Sequence, residues 1–280
     1  MKRISKYRKS SNFIIGKVFF FLFFLSLILG FGYSIITTSL KISGSVTIKN
    51  VENIPMLRAT SSSDTTAFWS STYRMKIKTV TFDDEINEPS GVVASWDVGT
   101  IDNITDVMAY IVNNETSGYY DLYIQGDGHL YANYDSSYLF YNFRALEKIN
   151  NIDILDTSKT TNMSYMFYYA GYSSTNFTLD VSSFDTQNVT NMSYMFAFAG
   201  YNSTAITLDI SNFDTSKVTS MYYIFGRTGY VNPNFTLNVS GINTKNVTDM
   251  GYMFYNAGYN SEVYTLDVTS FDTSNVTNME

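Results

Sequence analysis

A 29-residue repeat constrains this chain more than any other feature. Met163, Met192, Met221, Met250 and Met279 stand one such step apart. Phe167, Phe196, Phe225 and Phe254 keep the same step, as do Leu179, Leu208, Leu237 and Leu266, and the pairs Gly171-Tyr172, Gly200-Tyr201, Gly229-Tyr230 and Gly258-Tyr259. So many columns sharing one period mean stacked copies of one small unit. A single copy buries too little apolar surface to offset the ordering of its backbone, so its neighbours must supply hydrogen bonds and core.

Within one unit, Met163, Met166, Phe167 and Ala170 fall at i, i+3, i+4 and i+7, the spacing of one face of a two-turn helix. Asn162 precedes them, with Asn191, Ser220, Asp249 and Asn278 at the equivalent places, and all of these suit an N-cap. Gly171 follows in the place of a left-handed C-cap residue. Phe177, Leu179 and Val181 then alternate with Thr178 and Asp180 as in a strand, and the later copies read ITLDI, FTLNV and YTLDV. A corner over residues 183–190 turns Phe184 and Val189 inward, with Asp185 and Thr186 suited to a side-chain-capped turn. The expected fold class is therefore an α/β repeat solenoid of leucine-rich-repeat type. Its 29-residue coils, about four and a half of them over residues 151–280, each carry a short helix and a strand, with parallel strands ~4.8 Å apart.

Residues 60–150 do not repeat. The Ser/Thr-rich stretch Thr60–Thr66 closes a linker assigned to 37–67. Strand-like runs follow at Met75–Phe82, Val92–Val98, Val107–Val112, Tyr119–Gln125 and His129–Asn133, with Asp127-Gly128 suited to a tight hairpin turn. Residues 68–150 thus read as a small β-rich cap domain, with Tyr138–Phe143 as the first helical turn of the stack.

Val18–Ile36 is free of charge for nineteen residues, enough helix to cross the ~30 Å hydrocarbon layer. The basic segment 1–17 holds Lys2, Arg3, Lys6, Arg8, Lys9 and Lys17 and no acid. The positive-inside rule then predicts a cytosolic N-terminus, a membrane partner through residues 18–36, and export of the remainder. A retained signal anchor and a cleaved signal peptide are both open. Gly30-Phe31-Gly32 is a small-x-small cleavage candidate, and the apolar run continuing past it favours the anchor. The expected location is the plasma membrane, single-pass, with the C-terminal region extracellular.

Composition narrows the chemistry. The chain has no cysteine, which excludes disulfides and thiolate metal sites, and one histidine, His129, which reads as an incidental surface residue. The formal net charge is −7; setting aside the six basic residues of the N-terminal segment leaves −13 for the rest, which argues against nucleic acid as a partner. No phosphate-binding glycine loop, nucleophile elbow or paired-carboxylate motif is evident. Asp83, Asp84, Glu85 and Glu88 offer carboxylates for a surface hydrolase, a remote alternative, but a charged loop explains them better. No catalytic residue, metal ligand or cofactor is expected.

Two rows of residues are candidates for binding. Asp180, Asp209, Asn238 and Asp267, flanked by Thr178, Thr207, Thr236 and Thr265, occupy outward strand positions. They form either a stripe for a basic partner or Ca²⁺, or a solvated sheet face in which Asn238 dilutes like-charge repulsion. Tyr172, Tyr201, Tyr230 and Tyr259 form a second, aromatic ladder, suited to sugar or protein contacts or to packing over the ends of the predicted helices.

The recurring string FDTxNVTNMSYMF, as in Phe184–Phe196, resembles the BspA-like leucine-rich-repeat surface proteins of Firmicutes and related mycoplasma repeat lipoproteins. FW…YRMKIKTVTF…ASWDV (Phe68–Val98) and LYIQGDGHLYANYDSSYLF (Leu122–Phe140) are similar to segments preceding the repeats in that family. The likeness covers Phe68 to the end. Ala170, Ala199, Thr228 and Ala257 stand where many relatives have cysteine, and neither a lipid-anchor cysteine nor a wall-sorting motif is present. The resemblance implies a bacterial cell-surface repeat protein mediating adhesion, with a host or neighbouring-cell protein or glycan as partner. A non-specific structural or shielding surface protein is the alternative.

Overall fold

The computed structural model describes residues 56–100, 107–262 and 264–280, together with a short antiparallel strand pair, β1 (Lys41–Ile42) and β2 (Val46–Thr47). The chain forms two compact units, Met1–Ile54 and Pro55–Glu280.

In the second unit a mixed five-stranded sheet comes first. Its strands are β3 (Ile77–Asp83), β4 (Val92–Asp97), β5 (Val107–Asn113), β6 (Tyr120–Gly126) and, after a short β7 (Leu130–Tyr131), β8 (Lys148–Asn150). Their spatial order is β4-β5-β6-β3-β8, antiparallel through β6 and parallel from β6 to β8. Alternation in the sequence sets the inner face: Ile77, Val80 and Phe82 of β3, Ala109 and Ile111 of β5, and Leu122 and Ile124 of β6 are all fully buried. The Asp127-Gly128 turn does not close a hairpin. β6 and β7 belong to different sheets, and the Gly128 N–H donates to the Asp84 carbonyl at 2.9 Å, while β7 pairs in parallel with β9 (Leu155–Asp156).

The repeats form turn-built rungs in parallel register. Asp135, Asn162, Asn191, Ser220, Asp249 and Asn278 open successive rungs, and each is bridged to the next. β10 (Ala205–Asp209) and β11 (Asn234–Asn238) pair in parallel, with Ile206 beside Phe235 and Leu208 beside Leu237, as strand periodicity predicts. The equivalent segments 177–181 and 264–268 hold no regular strand. Phe140, Phe167, Phe196, Phe225 and Phe254 stack through the core with ring centroids 5.2–6.0 Å apart. This core is continuous with that under the five-stranded sheet.

The α/β solenoid of leucine-rich type is not what forms. Among the described residues there is no α-helix, only three single turns of 3-10 geometry at Ala67–Trp69, Arg74–Lys76 and Ile152–Ile154, and the fold is β-rich with mixed sheets. Met163, Met166, Phe167 and Ala170 are all buried, as their spacing demands, but on a ribbon of tight turns. The N–H groups of Met166, Tyr168 and Ala170 bond three residues back, to Met163, Tyr165 and Phe167. Between them the N–H groups of Tyr165, Phe167 and Tyr169 donate to the next rung, to the carbonyls of Ser193, Met195 and Ala197 at 2.8–3.0 Å. Sending every second N–H outward requires left-handed backbone, at Tyr165 (φ 58°) and Tyr169 (φ 61°) and at their equivalents in each rung. Each such non-glycine residue costs about 1–2 kcal/mol, which inter-rung bonding and ring stacking offset. Asn162 and its equivalents are not helix caps: Asn162, Asn191 and Asp249 accept the N–H two residues on and fix the corner. Tyr138–Phe143 likewise forms the first turn ribbon, not a helical turn.

Among the described residues no helix is long and apolar enough to cross a membrane, and Val18–Ile36 lies outside them. The expected transmembrane signal anchor and the single-pass plasma-membrane location with an extracellular C-terminal region therefore have no structural support and are not retained.

Candidate functional site

The rungs carry two chemically distinct outer surfaces. On the strand side, Thr207 faces Thr236, and Asp209 faces Asn238, whose amide donates to the Asp209 carboxylate at 3.0 Å. Asp180, Asp209, Asn238 and Asp267 are each engaged at home as well. They accept the backbone N–H of Ser182, Ser211, Ser240 and Thr269 respectively, at 2.9–3.2 Å. Hydrogen bonds from the side chain and then the backbone of Ser182 hold the Asp180 carboxyl below the ordinary range, and Ser211 and Thr269 do the same for Asp209 and Asp267. Thr178, Thr207, Thr236 and Thr265 are exposed beside them. These carboxylates thus serve the corners that follow their segments. Among the described residues no group of three or more acidic, histidine or cysteine side chains is placed to hold a metal ion. Asp83 and Glu85 similarly serve their own loop, accepting from the Glu85 N–H and the Asn87 amide. His129 is exposed and pairs with Asp156 at 2.5 Å.

The turn ribbons generate the other surface. Tyr172, Tyr201, Tyr230 and Tyr259 do form a ladder, with ring centroids 4.7–5.0 Å apart and the last two pairs within 4° of parallel. A second row runs Tyr138, Tyr165, Tyr194, Tyr223, Tyr252, stacked at its start with centroids 4.9 and 4.5 Å apart. A third sets Tyr169 on Phe198 at 4.5 Å. Guanidinium groups lie over these rings: Arg144 over Tyr169 (4.5 Å) and Tyr172 (5.0 Å), and Arg227 over Phe198 (5.6 Å), Tyr255 (5.5 Å) and Tyr230 (5.9 Å). The rings of Tyr165, Tyr194 and Tyr222 lie against one another in series, with centroids 4.5 and 5.3 Å apart. Burial, and secondarily their tyrosine neighbours, push the Tyr168 and Tyr194 phenols well above their ordinary range, so these groups stay protonated donors.

The face has a notch, an open depression of about 320 Å³ lined by Tyr168, Tyr194, Phe198, Tyr222, Tyr223, Tyr252 and Tyr255. Its origin is legible in a column that breaks: Tyr141, Tyr168 and Tyr255 are interrupted by Ala197 and Gly226. The Tyr223 ring lies over Gly226 so closely that a Cβ there would meet it at 2.0 Å. In the same rung Tyr222 replaces Ser164 and Ser193, and Arg227 replaces Tyr169 and Phe198. Apart from the Tyr172 ladder, the residues of this face escaped the sequence reading, which sought shared columns. The signal lay in the departures from them.

Fold and face together define a turn-built repeat protein with an aromatic surface assembled from successive copies. The family model that matches is described as Mycoplasma protein of unknown function, DUF285, over residues 134–263 and 201–280. These matches span just over half of the 280 residues, and the chain belongs to this family. No curated protein and no solved structure matches it.

Proposed function

We infer that this is an interaction protein, not an enzyme, which engages a protein or glycan partner in adhesion through the aromatic face of its rungs. The observation that carries this reading is the continuity of the face: rows of tyrosine and phenylalanine cross several rungs without a gap except at the notch. Tyrosine and arginine supply large, amphipathic contact area and dominate binding energy at protein surfaces. The finer resemblance to BspA-like surface proteins supports adhesion and a host or neighbouring-cell partner. A second reading, a structural layer without a specific ligand, is favoured by the self-stacking of the Tyr172–Tyr259 ladder, which offers ring edges instead of faces.

The test is a binding screen of the purified full chain against matrix proteins and glycans, with calcium and with chelator. Saturable binding that falls in Tyr168→Ser and Tyr255→Ser supports the interaction reading. Folded protein that binds nothing saturably favours the layer. Binding that depends on calcium and survives both substitutions would move the site to the strand stripe.

A further inference from the structure

We propose that the notch at Ala197 and Gly226 is a subsite for a carboxylate-bearing sugar unit of an acidic polysaccharide, lying along the aromatic face. The proposal rests on the interaction reading above and names its ligand class. A volume of about 320 Å³ is at the small end of ligand sites and suits one ring-sized unit. Its walls are aromatic rings, against which the C–H face of a sugar packs, and they carry phenolic hydroxyls, which serve a ligand with many hydrogen-bonding groups per unit length. The rows continue beyond the notch toward Tyr165 and Tyr138, so the surface suits a chain better than an isolated sugar.

The charge at the notch is locally positive, although the chain as a whole is acidic. No carboxylate lines the notch. Glu280 touches one wall, where it accepts from the Tyr252 hydroxyl at 3.2 Å. Arg227 lies over two of the lining rings, Phe198 and Tyr255, and sets a positive charge at the edge of the notch. A guanidinium beside an aromatic notch is matched by a carboxylate. All these features converge where one rung departs from its neighbours, at Tyr222, Gly226 and Arg227, whereas a purely structural repeat has no need of such a departure.

The experiment measures binding of the full chain to polygalacturonate and to the same polymer with its carboxylates methyl-esterified. The expected result is saturable binding of polygalacturonate that weakens with added salt, and at least about tenfold weaker binding of the ester, the loss expected for one charged hydrogen bond. Arg227→Gln should abolish the difference between the two polymers, and Tyr222→Ser, which installs the residue found at Ser193, should weaken both. Should Arg227→Gln fail to fold, the comparison of the two polymers on the unaltered chain decides. Equal binding of both polymers, lowered by Tyr222→Ser, overturns the acidic specificity and leaves the aromatic-face reading standing. Binding of neither polymer, with saturable binding of a matrix protein, overturns this proposal alone. No saturable binding of any probe overturns both.

Discussion

The five-stranded sheet and the rungs solve the same problem with different means. In the sheet, backbone pairing is regular, and each inward side chain, such as Val80 or Leu122, is locally chosen to fill its own place. In the rungs regular strand is scarce, and side chains add their own bonds to the backbone bonds between layers. Thr157, Thr186, Thr215 and Thr244 are buried, and each donates to the carbonyl of the residue 28 further on. Thr190, Thr219, Thr248 and Thr277 each donate to the preceding threonine of their own column. A sheet tolerates variety because its backbone carries the register. The rungs tolerate less, because their register is written in side chains as well as in backbone, and this is why the columns are so uniform. Where one column does vary, at Ala197 and Gly226, a reason outside packing is needed.

The contrast can be broken most forcefully at glycine. Gly171→Ala places a Cβ 2.2 Å from the Phe177 ring at φ 63°, so clash and left-handed strain combine to cost about 3 kcal/mol. Gly91→Ala, before β4, has a similar φ of 75° but no atom within 4 Å, and should cost only about 1 kcal/mol. Urea unfolding of both variants measures the difference, and equal losses would show that the rungs are no more tightly specified than the sheet.

The junction between the two regions comes next. The indole N–H of buried Trp69 donates to the Leu139 carbonyl at 3.0 Å, supplying the first turn ribbon with the bond that later ribbons receive from a preceding rung. Trp69→Phe leaves that buried carbonyl unpaired and should cost about 2 kcal/mol in the same assay. A loss below the error of the measurement would show that the first rung needs no closure.

A single threonine separates bonding columns from solvated ones. Thr215 Oγ1 donates to the Asn243 carbonyl at 2.9 Å and accepts the Asn243 N–H at 2.8 Å. Thr215→Val should therefore cost about 1–2 kcal/mol. Thr207→Val, on the exposed side of β10, should change stability by no more than about 0.5 kcal/mol. The reverse ranking would contradict the idea that side chains carry the rung register.

The smallest effect concerns acid. Asp180, Asp209 and Asp214 are held below the ordinary carboxylate value of 3.8 chiefly by hydrogen bonds from Ser182, Ser211 and Ser216. Depressed native values mean stability that is complete above that value and is lost as pH falls through it toward the lowered native ones. Replacing all three by Asn keeps the acceptor for each corner N–H. It should lower neutral-pH stability slightly, by the share that the charge supplies, while flattening the loss on acidification, followed by thermal unfolding at pH 7 and pH 3. An unchanged acid limb would mean that these carboxylates contribute nothing by being charged.

The repeat period, the inward residues and the parallel register of Ile206 with Phe235 were all legible, because copies of one unit expose their shared constraints. The conformation of the Met163–Ala170 segment was not. Burial at i, i+3, i+4 and i+7 is satisfied equally by a helix and by alternating turns. The deciding feature, left-handed backbone at Tyr165 and Tyr169, has no local signature, since tyrosine does not favour it. Hydrogen bonds to the next rung decide it. The Tyr172 ladder and the strand stripe were readable as rows, but the turn bonds that occupy Asp180 and Asp209 depend on corner geometry that spacing does not reveal.

The common register has a consequence for how such a chain can change length. Excising residues 191–219 would join Thr190 to Ser220, which already bears to Asn191 the relation that Asn191 bears to Asn162. Gain or loss of a whole copy would shift everything downstream by one layer, ~4.8 Å, with all columns intact, whereas a shift of a single residue would turn an extended segment's core side outward. The protein is a ruler graduated in rungs: recombination between its own copies can redraw its reach in fixed increments, and the notch, which the neighbouring rungs of Ala197 and Gly226 create together, can be widened or erased in a single event.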